Sequence, residues 1–545
     1  MSNYPILIVG AGPTGLTLAN QLSRYNIPYR IIDKNETVSP LSRALVIHAR
    51  TLEVLSDIGL IEQFLESGNK IRGVKFYFNK KQTVYLNYQL AESIYNFALA
   101  IPQATTEMLL ENFLLNKYGV TVERSSELVD VSQEEDAAKA VIKTSDGQFI
   151  EEKFSYIAGC DGAHSIVRKK ANISFLGEAY KGSWMLLDCE IDSFNKEDII
   201  NIFATRYGSF AIAPIGKKIF RIAATRRIAG TNPDEDPTLA EFQMLVDSCL
   251  PEKVKLGEPK WITKYNLHHR IVNTFQNGRM LVAGDAAHIH SPVGAQGMNT
   301  GIQDAYNLGW KLALMQCVEN SNDILNSYNA ERNLVAKKVV KDTHKNTKIM
   351  ALSNPLLIKS RNYMMQKLMS FGFVQRNFIN NMAEINIRYE QSDIIREDWQ
   401  DSPCHKLKRS IAVGKRNPNI KLSSWDKQET GGMDTLSRLK HLLLFIVNDC
   451  EKNFIRQQHE VLKPLLKEYQ FFLEPHYIFT DTSFQGEWDG VKCWLAEKKS
   501  IKIYGVNKAA FYLIRPDGYI AYRNQPVSVE KLKRYLSIFK PKQLL

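Results

Sequence analysis

The 545-residue chain has no run of the roughly 18 apolar residues that a bilayer-spanning helix needs; its longest compact apolar stretch is Leu442 to Val447, so no membrane insertion is expected. Its seven cysteines are widely spaced and show no Cys-x-x-Cys. That excludes a zinc ribbon and a dithiol redox centre, and the odd count argues for reduced thiols in a cytoplasm and against a disulfide framework. No metal site is expected. Runs of basic residues are short: Lys and Arg total 70 against 58 Asp and Glu, a net charge of +12 scattered along the chain. A nucleic-acid-binding stripe or arm is thereby excluded. The apolar start, Met1 to Val9, has neither a basic leader nor a small-residue cleavage site and reads as a strand, not a signal peptide. At 44% hydrophobic and 23% charged residues the composition is that of a globular protein, and the length predicts roughly three or four domains.

The chain does carry an informative opening. Pro5 to Val9 is a continuous apolar run, as in a parallel strand buried on both faces. Gly10, Gly12 and Gly15 follow in G-x-G-x-x-G order, then Leu16, Ala19, Leu22 and Ser23 recur at helical spacing before Tyr29 to Ile32 and Asp33. In this pattern Gly10 permits a tight turn, Gly12 lets the main chain approach a pyrophosphate, and Gly15 lets helix and sheet pack closely. The helix N-terminus offers unpaired N–H groups and about half a positive charge to phosphates. Asp33 stands where a carboxylate accepts hydrogen bonds from an adenosine ribose. Strand, turn, helix, strand and acid together predict a dinucleotide site. The fingerprint occurs once, which excludes separate Rossmann units for two dinucleotides.

Two later segments repeat the strand-then-turn pattern. Tyr156-Ile-Ala-Gly-Cys-Asp-Gly-Ala-His-Ser-Ile-Val-Arg168 ends an apolar strand at Asp161-Gly162. Gly278-Arg-Met-Leu-Val-Ala-Gly-Asp-Ala-Ala-His288 ends another at Gly284-Asp285, and Ser291-Pro-Val-Gly-Ala-Gln-Gly-Met-Asn299 leads into a helix with Ile302, Ala305, Leu308 and Leu312 on one face. Open α/β sheets bind ligands at strand carboxyl ends, and a helix N-terminus near Gly297 favours an anion. With the first fingerprint, these segments closely resemble the three-motif pattern of the class A, single-component FAD-dependent aromatic hydroxylases. That family includes p-hydroxybenzoate, phenol, pentachlorophenol and rifampicin monooxygenases.

The resemblance implies an α/β fold: a Rossmann-like FAD-binding domain with an inserted β-sheet substrate domain and a C-terminal thioredoxin-like domain. FAD-binding segments are expected at 1–72, 101–180 and 276–400, the last with a helical segment. Substrate-domain strands are expected at 73–100 and 181–275, and the thioredoxin-like domain at 401–545. Alternating residues near Val74, Phe210 and Phe220 read as antiparallel strands, Thr238 to Leu250 as a helix, and Ser327 to about Trp399 as helices. Ser402 to Asn419 reads as a linker. After it the expected order is a strand at Leu442 to Val447, a helix near Val461 and a strand at Ile501 to Tyr504. A hairpin about Pro516-Asp-Gly and a helix from Val529 capped by Ser528 complete it.

The cofactor so implied is FAD, with NADPH or NADH as co-substrate. The implied reaction hydroxylates a phenolic or other aromatic substrate with O2 through a flavin C(4a)-hydroperoxide. The matching FAD-binding positions are Gly10, Gly12, Pro13, Thr14, Gly15, Asp33, Lys34, Arg43, Gln103, Leu128, Asp161, Gly162, Gly284, Asp285, Pro292, Gly294, Gly297, Met298 and Asn299. For a base that draws a phenol proton, His48 and Tyr207 are the candidates. Leu45 stands where phenol hydroxylase-type members carry Asp, and His288 is expected to serve the backbone around the flavin. The competing activity is an FAD-dependent halogenase or ring-saturating reductase, although the Trp-x-Trp-x-Ile segment expected of halogenases is absent. The competing class is a flavin-binding, non-catalytic assembly protein. Partners are then a small aromatic substrate and O2, with a homodimer left open.

Overall fold

The structure is a computed structural model. It describes residues 4–38, 44–78, 81–192, 194, 197–205, 208–226, 235–250, 253–350, 352, 354–400, 410–424, 430–433, 436, 438–448, 452–480 and 491–542. Elements named below are β1 (Ile6–Val9), α1 (Pro13–Arg24), β2 (Tyr29–Ile32), α2 (Ala49–Ile58), β3 (Tyr156–Gly159), β4 (Met280–Val282), α3 (Gly297–Cys317), α4 (Ser321–Met350), α5 (Pro355–Met369) and α6 (Gly372–Met382).

The short apolar runs become the parallel strands of one sheet, in the order β4-β3-β1-β2, extended past β4 by antiparallel Gln276–Asn277. Ile6, Leu7, Ile8, Ile157 and Leu281 are wholly buried, as strands covered on both faces require. The register sets Val9 opposite both Ile32 and Gly159, and Gly159 opposite Val282. Because the strands run the same way, their carboxyl ends reach one edge of the sheet together. Helices α1 and α3 pack tightly beside it. A Cβ at Gly309 would lie 2.5 Å from Gln21 Cβ, and one at Gly301 would lie 2.5 Å from Thr14 Oγ1, so only hydrogen at these positions admits the approach.

Residues 73–289 contribute an eight-stranded sheet whose central strands are Phe175–Glu190, Ile219–Thr225, Gly208–Gly216 and Ile199–Thr205. Pairing is antiparallel as expected except that Gly73–Phe78 runs parallel to Ile199–Thr205. One face, with Met185, Leu187, Ile212 and Ile222, packs on Phe242, Leu245 and Val246 of the Leu239–Cys249 helix, which Thr238 caps. The other face, through Val74, Phe76, Ala204 and Ala213, joins Leu45, Val46 and the partly buried Ala295 in a separate apolar cluster. The sheet therefore lies over the segment that precedes α3.

A second eight-stranded sheet occupies the C-terminal part. Its inner strands are Ile520–Gln525, Ala509–Ile514, His441–Val447 and Leu473–Phe479 in that order. His441–Val447 is parallel to Leu473–Phe479 and antiparallel to Ala509–Ile514. The hairpin turns at Pro516-Asp517-Gly518 as expected, with Gly518 N–H donating to Arg515 O at 2.8 Å, and the Ser528 side chain caps the Val529–Leu536 helix. Three readings need correction. Arg396–Trp399 is a strand parallel to Ile520–Gln525, not the end of a helix; pairing with that strand supplies backbone bonds that so polar a tetrapeptide could not earn by burial. Ile501–Tyr504 is helical, because Ile501 and Tyr504, three apart, share the buried side while Ile503 is exposed. Residues 410–419 of the expected linker are fastened to the hairpin by Gly414 N–H to Ile520 O and Ile520 N–H to Lys415 O, whereas residues 401–409 lie outside the described residues. Among the described residues, no helix is long and apolar enough to cross a membrane.

Candidate functional site

At the shared sheet edge the first glycine turn meets the Asp161 segment. Gly10 has φ +100°, and a Cβ there would lie 2.5 Å from Cys160 O; one at Gly15 would lie 1.9 Å from Gly10 O. Both glycines are demanded by backbone contact. Gly12 is different: a Cβ there would meet nothing within 4 Å, so the turn opens onto space at the N-terminus of α1. That terminus has no side-chain cap, no acidic residue in its first turn, and Pro13 as its first residue. Asp33, just past β2, accepts from Ala11 N–H at 2.7 Å through Oδ2 and from Asn35 N–H through Oδ1, which ties the acid to the glycine turn. Lys34 is exposed beside it. Leu128 is buried in the core, so only its main chain is free to face a ligand.

Asp161 is half-buried, and the loss of solvent around it raises its carboxyl pKa. Oδ2 accepts from Ile166 and Val167 N–H groups, capping the next short helix, while Oδ1 has no partner. Gly162 follows with φ +75°. At the end of β4, Gly284 packs against Thr14, the same residue that touches Gly301, so the starts of α1 and α3 and the β4 turn close on one side chain. Asp285 projects from this turn and is exposed.

The second half of the site is the loop from Pro292 to Asn299. Ala295 N–H donates to Pro292 O at 2.8 Å, and α3 begins at Gly297 with no side-chain cap and no acid in its first turn. The Asn299 side chain is fully used inside the protein: Oδ1 accepts from His48 N–H, and Nδ2 donates to Val46 O and Ala295 O, each at 2.8 Å. Only its main chain can meet a ligand. Gln103 reaches the same place, its N–H donating to Ala44 O and its Oε1 accepting from Ala44 N–H. Asn299→Ala orphans the buried His48 N–H and is expected to cost roughly 1–3 kcal/mol, checked by urea unfolding.

His48 is wholly buried and bonded through Nε2 to Gly294 O at 2.7 Å; burial lowers its pKa to about 4. Burial thus favours the neutral imidazole, and the bond to Gly294 ties its ring to the loop. Tyr207 and Arg43 lie outside the described residues. His288 does not bind backbone; its Nε2 lies 2.8 Å from Asp304 Oδ2. Asp304, on the buried side of α3, also accepts from Gly284 N–H at 3.0 Å and from Arg332 Nε at 2.6 Å. Arg332 and the neighbouring bonds hold its carboxylate below the ordinary range despite burial. Asp304 and Arg332 were not anticipated; a charged residue on an otherwise apolar helical face was the available signal.

Glu384 was also missed. It closes the loop's rear, with Oε1 2.7 Å from Thr300 Oγ1 and Oε2 accepting from Gln303 Nε2 at 2.5 Å. Burial lifts its pKa from 4.5 to about 7. Between those values the folded chain holds a proton that the unfolded chain has released, so this group's contribution is full below pH 4.5 and lost as pH rises through 7, roughly 3 kcal/mol in all. Urea midpoints from pH 4.5 to 8 are expected to fall less steeply for Glu384→Gln than for the parent chain.

Glycine turn, two uncapped helix starts and acids at strand ends suit a molecule with phosphates at one end and an anionic ring at the other. The comparisons agree. Residues 3–343 match the family model described as FAD binding domain. The chain is 30% identical over 390 residues to rifampicin monooxygenase of Streptomyces venezuelae, covering 71% of this chain and 80% of that one. It is 32% identical over 358 residues to pentachlorophenol 4-monooxygenase of Sphingobium chlorophenolicum, covering 63% and 66%. Among solved structures, OxyS anhydrotetracycline hydroxylase from Streptomyces rimosus superposes with a TM-score of 0.74 at 25% identity, covering 99% of this chain and 100% of that one. This chain belongs to the class A FAD-dependent aromatic hydroxylases and is a flavoprotein monooxygenase.

Proposed function

We propose that the enzyme hydroxylates a phenol or a related aromatic ring, using NADPH or NADH as reductant and O2 as co-substrate. One observation carries the reading: the ends of β2, β1, β3 and β4, with Asp33, Gly10, Asp161 and Gly284-Asp285, open together beside the uncapped starts of α1 and α3. In this reading Gly10 to Gly15 and α1 take the pyrophosphate, Asp33 and Lys34 the adenosine ribose, and Asp285 the ribityl chain. Asp161-Gly162 and the Leu128 main chain complete the nucleotide side, and Gly294 to Asn299 main chain edges the ring. Bound FAD supplies the electron transfer and oxygen activation.

The chain's own task is to hold the two reactants and exclude water. The N-terminus of α3 favours negative charge on a reduced ring. The sheet face carrying Ala204 and Ala213 closes the apolar side of the loop, which lowers the access of water. His48, Asn299 and Glu384 fix the loop and leave proton transfer to a group on the substrate side. The inner strand order of the C-terminal sheet, with one parallel and two antiparallel neighbours, supports the thioredoxin-like assignment for 401–545, with Arg396–Trp399 added at its edge. A reducing cytoplasm fits seven widely spaced cysteines with no Cys-x-x-Cys.

The purified chain should be yellow and should oxidise a nicotinamide cofactor under oxygen faster when a phenol panel is added, giving a product one oxygen atom heavier. Flavin that neither NADPH nor NADH reduces favours the non-catalytic binding protein; a colourless chain that takes up no FAD sinks the cradle assignment.

A further inference from the structure

We propose that α5 and α6 form a docking face for an anionic phospholipid surface. Leu356, Tyr363, Met364 and Leu368 recur on one outer side of α5, and exposed Phe371 and Phe373, ring centres 6.1 Å apart, follow at the start of α6. Their exposures run from 46% at Leu368 to 75% at Leu356. Single exposed apolar residues are ordinary, but a contiguous row of this length on one helix side marks an interaction surface. The inner side of α5 is already satisfied. Met365 and Met369 pack into the cluster with Val74 and Phe76, and the Arg361 guanidinium lies 5.0 Å from the centre of the Phe78 ring. The outer row is therefore not needed to complete the fold.

Charge selects the occupant. From Thr343 to Ala383 the chain has Lys345, Lys348, Lys359, Arg361, Lys367 and Arg376 and no Asp or Glu. All of these except Arg361 are exposed, and the adjoining strand Lys81–Asn87 adds exposed Lys81. A second copy related by a two-fold axis would set this basic surface against itself. Nucleic acid would answer the charge but offers little to aliphatic Leu356, Leu357, Met364 and Leu368. A bilayer surface answers both, with headgroup phosphates for the cations and the acyl boundary for the apolar row. With no described helix able to span a membrane, the contact is peripheral.

The test is flotation of the full-length, FAD-loaded chain with vesicles of phosphatidylcholine and phosphatidylglycerol, against vesicles of phosphatidylcholine alone. Binding is expected on the mixed vesicles and should fade as salt shortens the range of the charges. Each of Lys359→Gln and Lys367→Gln should weaken it about fivefold. Leu356→Ser combined with Phe373→Ser should abolish retention even at low salt. Flavin absorbance and turnover in solution should be unchanged in all of them, since none of these residues lines the flavin groove. Failure of the parent chain to bind, equal binding to both vesicle types, or variants that float like the parent would overturn the proposal. So would a dimer in sedimentation that the same substitutions dissolve, which would give the face to a second copy.

Discussion

Replacing Arg515 with leucine is expected to destabilise the folded chain by roughly 3–5 kcal/mol, the range for removing one partner of a buried ion pair. Arg515 is wholly buried at the hairpin of the C-terminal sheet. It donates to Glu331 of α4 through both terminal nitrogens, at 2.6 and 2.9 Å, and to Asp517 through Nε at 2.9 Å. Lys311 of α3 donates to Glu331 at 2.8 Å, Asn307 bridges Glu331 and Asp517, and Ser392 donates to Glu331 at 2.6 Å. Two cations thus face two anions with no water-exposed outlet, and the guanidinium also lies 5.0 Å from the Trp310 ring centre. Their opposite charges keep Glu331 far below the ordinary carboxyl range.

Leucine in place of Arg515 would leave an excess anion in a dry site. The network joins α3, α4 and the hairpin, and Arg50 of α2 donates to Asp517 O at 2.6 Å, so loosening it should lower the temperature of flavin release along with the unfolding midpoint. Pairing Arg515→Leu with Glu331→Leu should recover part of the loss, since the second change removes the stranded charge. A single variant within about 1 kcal/mol of the parent in urea unfolding would show that the network is not coupled to stability as argued.

The second large effect concerns the flavin itself. Gly15→Ala is expected to yield a folded but colourless chain, with FAD affinity down by at least about a hundredfold, the scale of roughly 3 kcal/mol. The added methyl would sit 1.9 Å from Gly10 O, a backbone atom that cannot swing away. Either α1 moves off the sheet or the glycine turn moves, and both displace the N–H groups from the phosphates. Gly12→Ala makes the useful contrast. Its methyl meets no protein atom within 4 Å, so the apo fold should be unchanged while FAD titration detects only steric conflict with the cofactor. Equal flavin uptake by Gly15→Ala and the parent chain, measured by fluorescence quenching, would refute the close-contact argument.

The features legible in the chain were those encoded over short spans. Gly10-x-Gly12-x-x-Gly15 after an apolar run, the strand stops at Asp161 and Asp285, the Ser528 cap and the Pro516-Asp-Gly turn each depend on neighbours within one strand or helical turn, and all were found where expected. Short-range reading failed at Ile501–Tyr504, where one helical turn and a strand offer the same short pattern, and at Arg396–Trp399, expected as helix, whose strand state comes from a partner far along the chain.

Residue order therefore set the glycine turn and the strand ends beside it, because such a turn needs specific residue types at fixed local spacing. Tertiary structure alone decided the roles of Asp304, Glu384 and Arg515. Whether a carboxyl is a clamp, a proton holder or a solvated surface group depends on the charges and the burial around it, and for Glu331 the answer stands 184 positions away at Arg515. The same reasoning applies to His48: burial and the Gly294 carbonyl, neither visible in the local sequence, set its proton affinity.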